Sequence, residues 1–331
     1  RYYSPKDGVA YVRTERYEDP VKKFLEILRQ SVSLRMISDV PYGAFLSGGI
    51  DSSAIGGLMT EISQVPVKTF SVGFEESGYS ELGYAEVIAN YFNTDHHELL
   101  VSHEEIIRHL PELVSFRDAP ISEPSDIPIY LLAKEAGRTV KMVLTGEGSD
   151  EILAGYSKHV SDRYASYYNL LPEYIREYVV SPLTKALPYS FRSVKTAIST
   201  LGISDHYERQ PRWFGALSFR EASRLLVNND EPRGKVSLSQ VDDRASALRK
   251  ILYFDQTSWL TDNLLERGDR MTMAASIEAR MPFMDHQLAE YMSSLPDRYR
   301  IRRRTTKWIL RKAMQGMIPR RILNRPKVGF R

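Results

Sequence analysis

Short apolar runs that alternate with segments of helical period constrain this chain more than any other feature. Ala44-Phe45-Leu46, residues 67–74, 97–101 and 140–144 read as strands, with helices expected from about Ser52 to Ile62, from Glu81 to Phe92, and over 104–116 and 126–137. Continuous apolar runs of this length suit strands buried on both faces of a parallel sheet. The alternation implies a doubly wound α/β sheet. Before it, Pro20 introduces Val21, Phe24, Leu25, Leu28 and Val32 at the spacing of an amphipathic helix. From about Lys158 the strand signal disappears, and Tyr164, Tyr167, Tyr168, Leu171, Tyr174 and Tyr178 mark a mainly helical second half reaching about 315. The organisation expected is a polar stretch over 1–19, an α/β core over 20–157 and a mainly helical part over 158–331. The weakest stretch is the 228–234 loop, rich in Asn, Asp, Pro and Gly.

Composition narrows the chemistry. A formal charge of +3 is too small to argue for non-specific nucleic-acid or membrane binding. With no apolar run long enough to span a bilayer and no leader pattern at the start, the chain reads as soluble and cytoplasmic. The absence of cysteine excludes disulfides, thiolate zinc sites and a catalytic thiol on this chain. Its opening at Arg1 and its close on Lys327-Val328-Gly329-Phe330-Arg331 suggest a segment of something longer.

Ser47-Gly48-Gly49-Ile50-Asp51-Ser52-Ser53 falls between an expected strand and an expected helix. Backbone N–H groups and the positive end of the helix dipole converge there on an anion. The glycines let backbone approach closely and the serines add donors. Asp51 would repel a phosphate unless a cation such as Mg²⁺ lay between them. A capped glycine-rich turn is the bland alternative, disfavoured by the flanking strand and helix. The spacing fits neither the GxxxxGK[ST] nor the GxGxxG pattern. A second motif, Thr145-Gly146-Glu147-Gly148-Ser149-Asp150-Glu151, brings three carboxylates to a strand end, the edge where α/β sheets take ligands. Glu151 reads equally well as a first-turn helix acid.

The SGGIDS loop resembles that of the N-type ATP pyrophosphatases, which cleave ATP between the α- and β-phosphates. Ser38-Asp39-Val40-Pro41-Tyr42-Gly43, residues 144–151 and Ala279-Arg280-Met281-Pro282-Phe283-Met284-Asp285 together resemble the asparagine synthetase family over roughly 20–330. The resemblance implies an adenine nucleotide α-hydrolase-like fold and an ATP- and Mg²⁺-dependent ligase. Such an enzyme activates a carboxylate, in the first instance the side chain of aspartate, as its acyl-adenylate, and ammonia then displaces AMP. It implies Glu147 as the residue that takes a proton from ammonia, Asp51 and Asp150 as magnesium ligands, and Lys307 as a phosphate contact. Leu46, Ser47, Gly48, Gly49, Asp51, Ser52, Val72, Gly146 and Lys307 would hold ATP and pyrophosphate, adenine being held by backbone near Leu46, Val72 and Gly146. Residues 1–19 would be the linker from a preceding glutaminase domain, and a homodimer is compatible with the family.

Several features take other readings. The basic neighbours Arg302, Arg303, Arg304, Arg311 and Lys312 make a solvated face the competing account of Lys307. His96 and His97 point to opposite faces of a strand and read as structural. Leu264, Arg267, Asp269, Arg270 and Met271 read as helix packing. Residues 117–128 depart from better-known family members, which carry an arginine near the aspartate substrate, so amide formation on a sugar acid, a peptide side chain or an antibiotic precursor stays open. A sulfur-transferring RNA-modifying enzyme is disfavoured by the lack of cysteine and of basic excess. A non-catalytic nucleotide-binding module is disfavoured by the intact set Asp51, Glu147, Asp150 and Lys307.

Overall fold

The computed structural model describes residues 19–75, 81–117, 123, 125–203, 209–210, 212–213, 223–225 and 245–325. The stretch 1–18, the loop 228–234 and the closing 327–331 lie outside the described residues.

Helix α1, Pro20–Arg35, starts where Asp19 accepts hydrogen bonds from the N–H groups of Val21 and Lys22, with proline in the first turn. Its apolar stripe buries Phe24, Leu28 and Val32, each such burial contributing about 1.5–3 kcal/mol. There follow β1 (Tyr42–Phe45), α2 (Ile50–Ile62), β2 (Lys68–Phe74), α3 (Leu82–Phe92), β3 (Asp95–Val101), α4 (His103–Arg117), α5 (Asp126–Ala136), β4 (Met142–Leu144) and α6 (Ser149–Leu153). The doubly wound α/β sheet expected from the sequence is present.

The sheet is parallel throughout in the order β3-β2-β1-β4-β5, where β5 is Glu278–Arg280. This fifth strand corrects the expectation that strands end before 158. It has three residues, two of them charged, so it lacks the apolar run that marks β1 to β4. Its Glu278 N–H donates to Lys141 O and its Arg280 carbonyl accepts from Thr145 N–H, extending the sheet beyond β4.

Alternation along the strands sends side chains to two layers. Ala44, Met142 and Leu144 join α1 and α2 in the larger core, whereas Phe70 and Val143 pack with Leu132, Ala133 and Ala136 of α5 and with Ile277. His96 and His97 belong to this sheet packing. The ring of His97 stacks on Phe70 at 5.2 Å, and Nδ1 of His96 lies 2.9 Å from Thr69 Oγ1.

The second half is mainly helical, as expected. Helix α7, Ala247–Phe254, runs through wider π-type turns over Asp255–Leu265 into α8, Glu266–Met273. After β5 come α9 (His286–Ser294) and α10 (Trp308–Ala313). No helix among the described residues is long and apolar enough to cross a membrane. Chain direction across the sheet reverses between β1 and β4, so the loops leaving their C-terminal ends face one crevice, the usual ligand site of such sheets.

Candidate active site

The loop after β1 holds itself open by its own serines. Ser52 Oγ accepts from Ser47 N–H at 3.1 Å, lies 3.0 Å from Ser47 Oγ and donates to Gly49 O at 3.3 Å. Gly49 is the N-cap of α2 and no side chain caps the helix, so the first-turn N–H groups and the positive helix end remain available to an anion.

Asp51 lies in that first turn and is the hub of the site. Its Oδ1 accepts from Ser149 Oγ at 2.7 Å and its Oδ2 accepts from Lys307 Nζ at 2.6 Å. The same ammonium lies 2.7 Å from Asp150 Oδ1. The structure therefore brings together Asp51, Asp150 and Lys307 from three parts of the chain. Lys307 is 2% exposed while Arg302, Arg303 and Arg304 are exposed, which separates it from the solvated basic run. Its backbone is left-handed at φ 51°, a conformation costing a non-glycine residue about 1–2 kcal/mol. Strain of this kind persists where surrounding structure over-determines it. Gly155 completes the arrangement, since a β-carbon there would come 1.7 Å from Asp150 Oδ1 and 2.1 Å from Lys307 Cε.

Glu147 stands one turn of loop away, lying against Gly268 of α8. Its Oε2 is enclosed and has no hydrogen-bond partner among the described residues. Burial pushes its carboxyl up to about 7, partly opposed by the Arg267 guanidinium. A carboxylate tuned to neutral pH suits proton transfer. Arg267, read from sequence as packing, thus faces the very carboxylate whose charge matters. Its Nε lies 3.6 Å from Asp126 Oδ1, and Arg117 Nε lies 3.7 Å from Asp126 Oδ2. Arg117 also donates to Glu266, which pairs with Arg270 at 2.7 Å, so ion pairs fix the start of α8 on α4 and α5.

Glu151, in the first turn of α6, is buried and accepts a 2.5 Å hydrogen bond from Tyr156. Burial and the neighbouring Asp150 raise its carboxyl. Below it Asp255 takes Lys158 at 2.5 Å and His159 Nε2 at 2.7 Å. His159 Nδ1 accepts from Tyr156 N–H at 3.3 Å, so its proton sits on Nε2, and burial favours the neutral ring. This network joins α6 to the π turns after α7.

Of the expected adenine contacts, Leu46 is buried with its own N–H donating to Phe70 O and its carbonyl accepting from Ser71. Val72 and Gly146 lie half-buried along the same sheet edge. Three residues of the site carry no site role in the sequence reading: Ser149, Gly155 and Arg267. Ser149 lies within the acidic motif and Gly155 four residues beyond its last acid, so the Gly148-Ser149 and Ala154-Gly155 steps are their local signal. Arg267 sits on α8 and meets Glu147 only through the fold, so no local signal marks it.

Comparison with known proteins then decides the family. The model of the family described as asparagine synthase matches residues 23–331. The chain belongs to the asparagine synthase family. It is 33% identical to asparagine synthetase [glutamine-hydrolyzing] 1 of Bacillus subtilis, over 96% of this chain and 50% of that protein. A second Bacillus subtilis relative, asparagine synthetase [glutamine-hydrolyzing] 3, is 29% identical over 96% of this chain and 49% of its own length. The amidase chyE of Penicillium rubens is 27% identical over 95% of this chain and 52% of that protein. The chain spans about half the length of the curated relatives it matches. In this chain the loop after β1, the acidic motif and the lysine before α10 meet at Asp51.

Proposed function

We propose that this chain is an ATP-dependent amide-forming ligase, which converts a carboxylate to its acyl-adenylate with release of pyrophosphate and lets ammonia displace AMP. The observation that carries the reading is the convergence of Lys307 Nζ with Asp51 and Asp150 at the uncapped N-terminus of α2. The loop N–H groups of Gly48 and Gly49 and the hydroxyls of Ser47 and Ser52 would bind the phosphates. Lys307 would neutralise charge building on the departing pyrophosphate. The adenine would lie against backbone near Val72 and Gly146. Glu147 would take the proton that ammonia must lose as it becomes an amide, a role worth roughly 10²–10⁴-fold.

Magnesium fits the residues present. Two carboxylate oxygens already converge on one positive charge, at 2.6 and 2.7 Å, and hard oxygen donors of this kind are what magnesium takes. Asp51 and Asp150 would hold it, and when bound it would offset the charge of the pyrophosphate. This chain carries no thiol to attack glutamine, so its ammonia would come from a glutaminase domain or from solution.

Aspartate is the proposed substrate, in keeping with the names of the bacterial relatives. A second reading, amide formation on another carboxylate, draws support from the amidase-named relative and from the engagement of Arg117 and Arg267 by Asp126 and Glu266. The test is incubation with ATP, Mg²⁺, ammonium and a panel of carboxylic acids. Asparagine, AMP and pyrophosphate in equal amounts are expected with aspartate. AMP formation with a different acid alone selects the second reading, and release of ADP and phosphate refutes both.

A further inference from the structure

The loop after β1 is held from behind by a residue near the far end of the chain. Arg325 Nη1 donates to Gly48 O at 3.0 Å and lies 3.5 Å from Ser47 O, while its Nη2 donates to the Glu81 carboxylate. Its guanidinium lies 3.9 Å over the ring of Tyr84, and Arg321 lies 5.1 Å over the same ring. The Arg325 side chain is 9% exposed. Gly48 itself is left-handed at φ 66°, and a β-carbon there would come 2.5 Å from Tyr84 Cβ and 2.6 Å from Ala85 N. The loop backbone is therefore pressed onto the start of α3 on one side and bonded to Arg325 through its carbonyls.

Peptide planarity turns this into a statement about the anion site. In a trans peptide the C=O and the following N–H point in opposite directions. Fixing Ser47 O and Gly48 O on Arg325 fixes the N–H groups of Gly48 and Gly49 on the opposite side, where the Gly49 N–H meets Ser47 Oγ at 3.4 Å and where a phosphate would approach. Stacking on Tyr84 and the bond to Glu81 hold the planar guanidinium, whose fork of donors can serve two carbonyls and a carboxylate at once. Lysine cannot reproduce that fork.

We propose that Arg325 is a positioning residue for the phosphate-binding loop, setting the affinity for the pyrophosphate portion of ATP without touching the reacting atoms. The inference rests on the ATP reading above and deepens it. Losing the hold of this charged donor on the loop carbonyls is expected to weaken pyrophosphate binding by roughly tenfold to a hundredfold.

The experiment is calorimetric titration of the wild type, Arg325→Met, Arg325→Lys and Tyr84→Leu with ATP, inorganic pyrophosphate and adenosine. Arg325→Met is expected to weaken ATP and pyrophosphate by about tenfold or more while adenosine affinity stays within about twofold. Arg325→Lys should fall between Arg325→Met and the wild type, and Tyr84→Leu should weaken pyrophosphate in the same direction. In steady state Arg325→Met should raise the KM for ATP and leave kcat at saturating ATP within about twofold. Should Arg325→Met fail to fold, Arg325→Lys and Tyr84→Leu carry the test alone. Wild-type ATP binding with unchanged pyrophosphate affinity in the variants overturns this inference only. Equal losses of adenosine and pyrophosphate also overturn it, because they mark a general collapse. A wild type that binds neither ATP nor pyrophosphate overturns the ATP reading itself.

Discussion

Glu147→Gln separates the chemistry of the buried carboxyl from its packing, and its effect on stability can be worked from the site. Burial raises the Glu147 carboxyl from 4.5 to about 7 in the folded protein. Between those values the native state binds more protons than the unfolded chain, so wild-type stability falls as pH rises through the window. Each unit is worth about 1.4 kcal/mol, and since part of the side chain remains open to solvent the full effect is at most about 3 kcal/mol. Glutamine does not titrate. Its buried amide costs about 1–3 kcal/mol where Oε2 has no partner, but that cost is the same at every pH. Urea unfolding of both proteins should therefore give a stability difference that moves in favour of Glu147→Gln by about 2–3 kcal/mol between about pH 5 and about pH 8. A difference flat across this range would refute the claim that Glu147 titrates near neutrality. The same variant should keep carboxylate-dependent ATP–pyrophosphate exchange and lose amide formation by about 10²-fold or more. Parallel loss of both half-reactions would assign Glu147 to substrate or metal binding instead.

Other substitutions probe the remaining groups. Asp51→Asn should abolish Mg²⁺-dependent ATP–pyrophosphate exchange with little change in the far-ultraviolet circular dichroism, since it removes charge rather than core packing; wild-type exchange rates would remove Asp51 from metal binding. Lys307→Met leaves Asp51 and Asp150 facing each other across a nearly buried site, and breaking such a pair costs about 3–5 kcal/mol. Millimolar Mg²⁺ should restore part of that stability in thermal unfolding, and a variant indifferent to Mg²⁺ would contradict the shared cation position. Arg267→Met removes the positive charge that holds the Glu147 carboxyl down. The rise of amide formation with pH, measured at constant free ammonia, should move to higher pH, and an unmoved profile would detach Arg267 from Glu147.

How much of this was legible before folding depends on the residue. Strands β1 to β4 announce themselves because parallel strands buried on both faces must be apolar, as Met142-Val143-Leu144 shows, with Met142 and Leu144 in one layer and Val143 in the other. Glu278-Ala279-Arg280 escapes because an edge strand of three residues needs no such run. Asp51 and Asp150 are visible as acids beside glycine-rich turns, but that one ammonium bridges them is a tertiary fact, with Lys307 256 residues from Asp51. Resemblance alone singled out Lys307, because nothing local distinguishes it from Arg302–Arg304 until burial does. Arg325 left no trace, since its partner Gly48 lies 277 residues away. The Arg267 segment was read as packing and does pack, yet the helix it fixes also carries the charge beside Glu147.

In the proposed reaction the carboxylate attacks the α-phosphorus of ATP held by the loop before α2 and by Lys307. Heavy-oxygen labelling of the substrate carboxylate tests this directly. Mass spectrometry of the nucleotide product should find one carboxylate oxygen transferred to AMP and none to pyrophosphate. Label in inorganic phosphate, or AMP free of label while amide accumulates, would contradict the account.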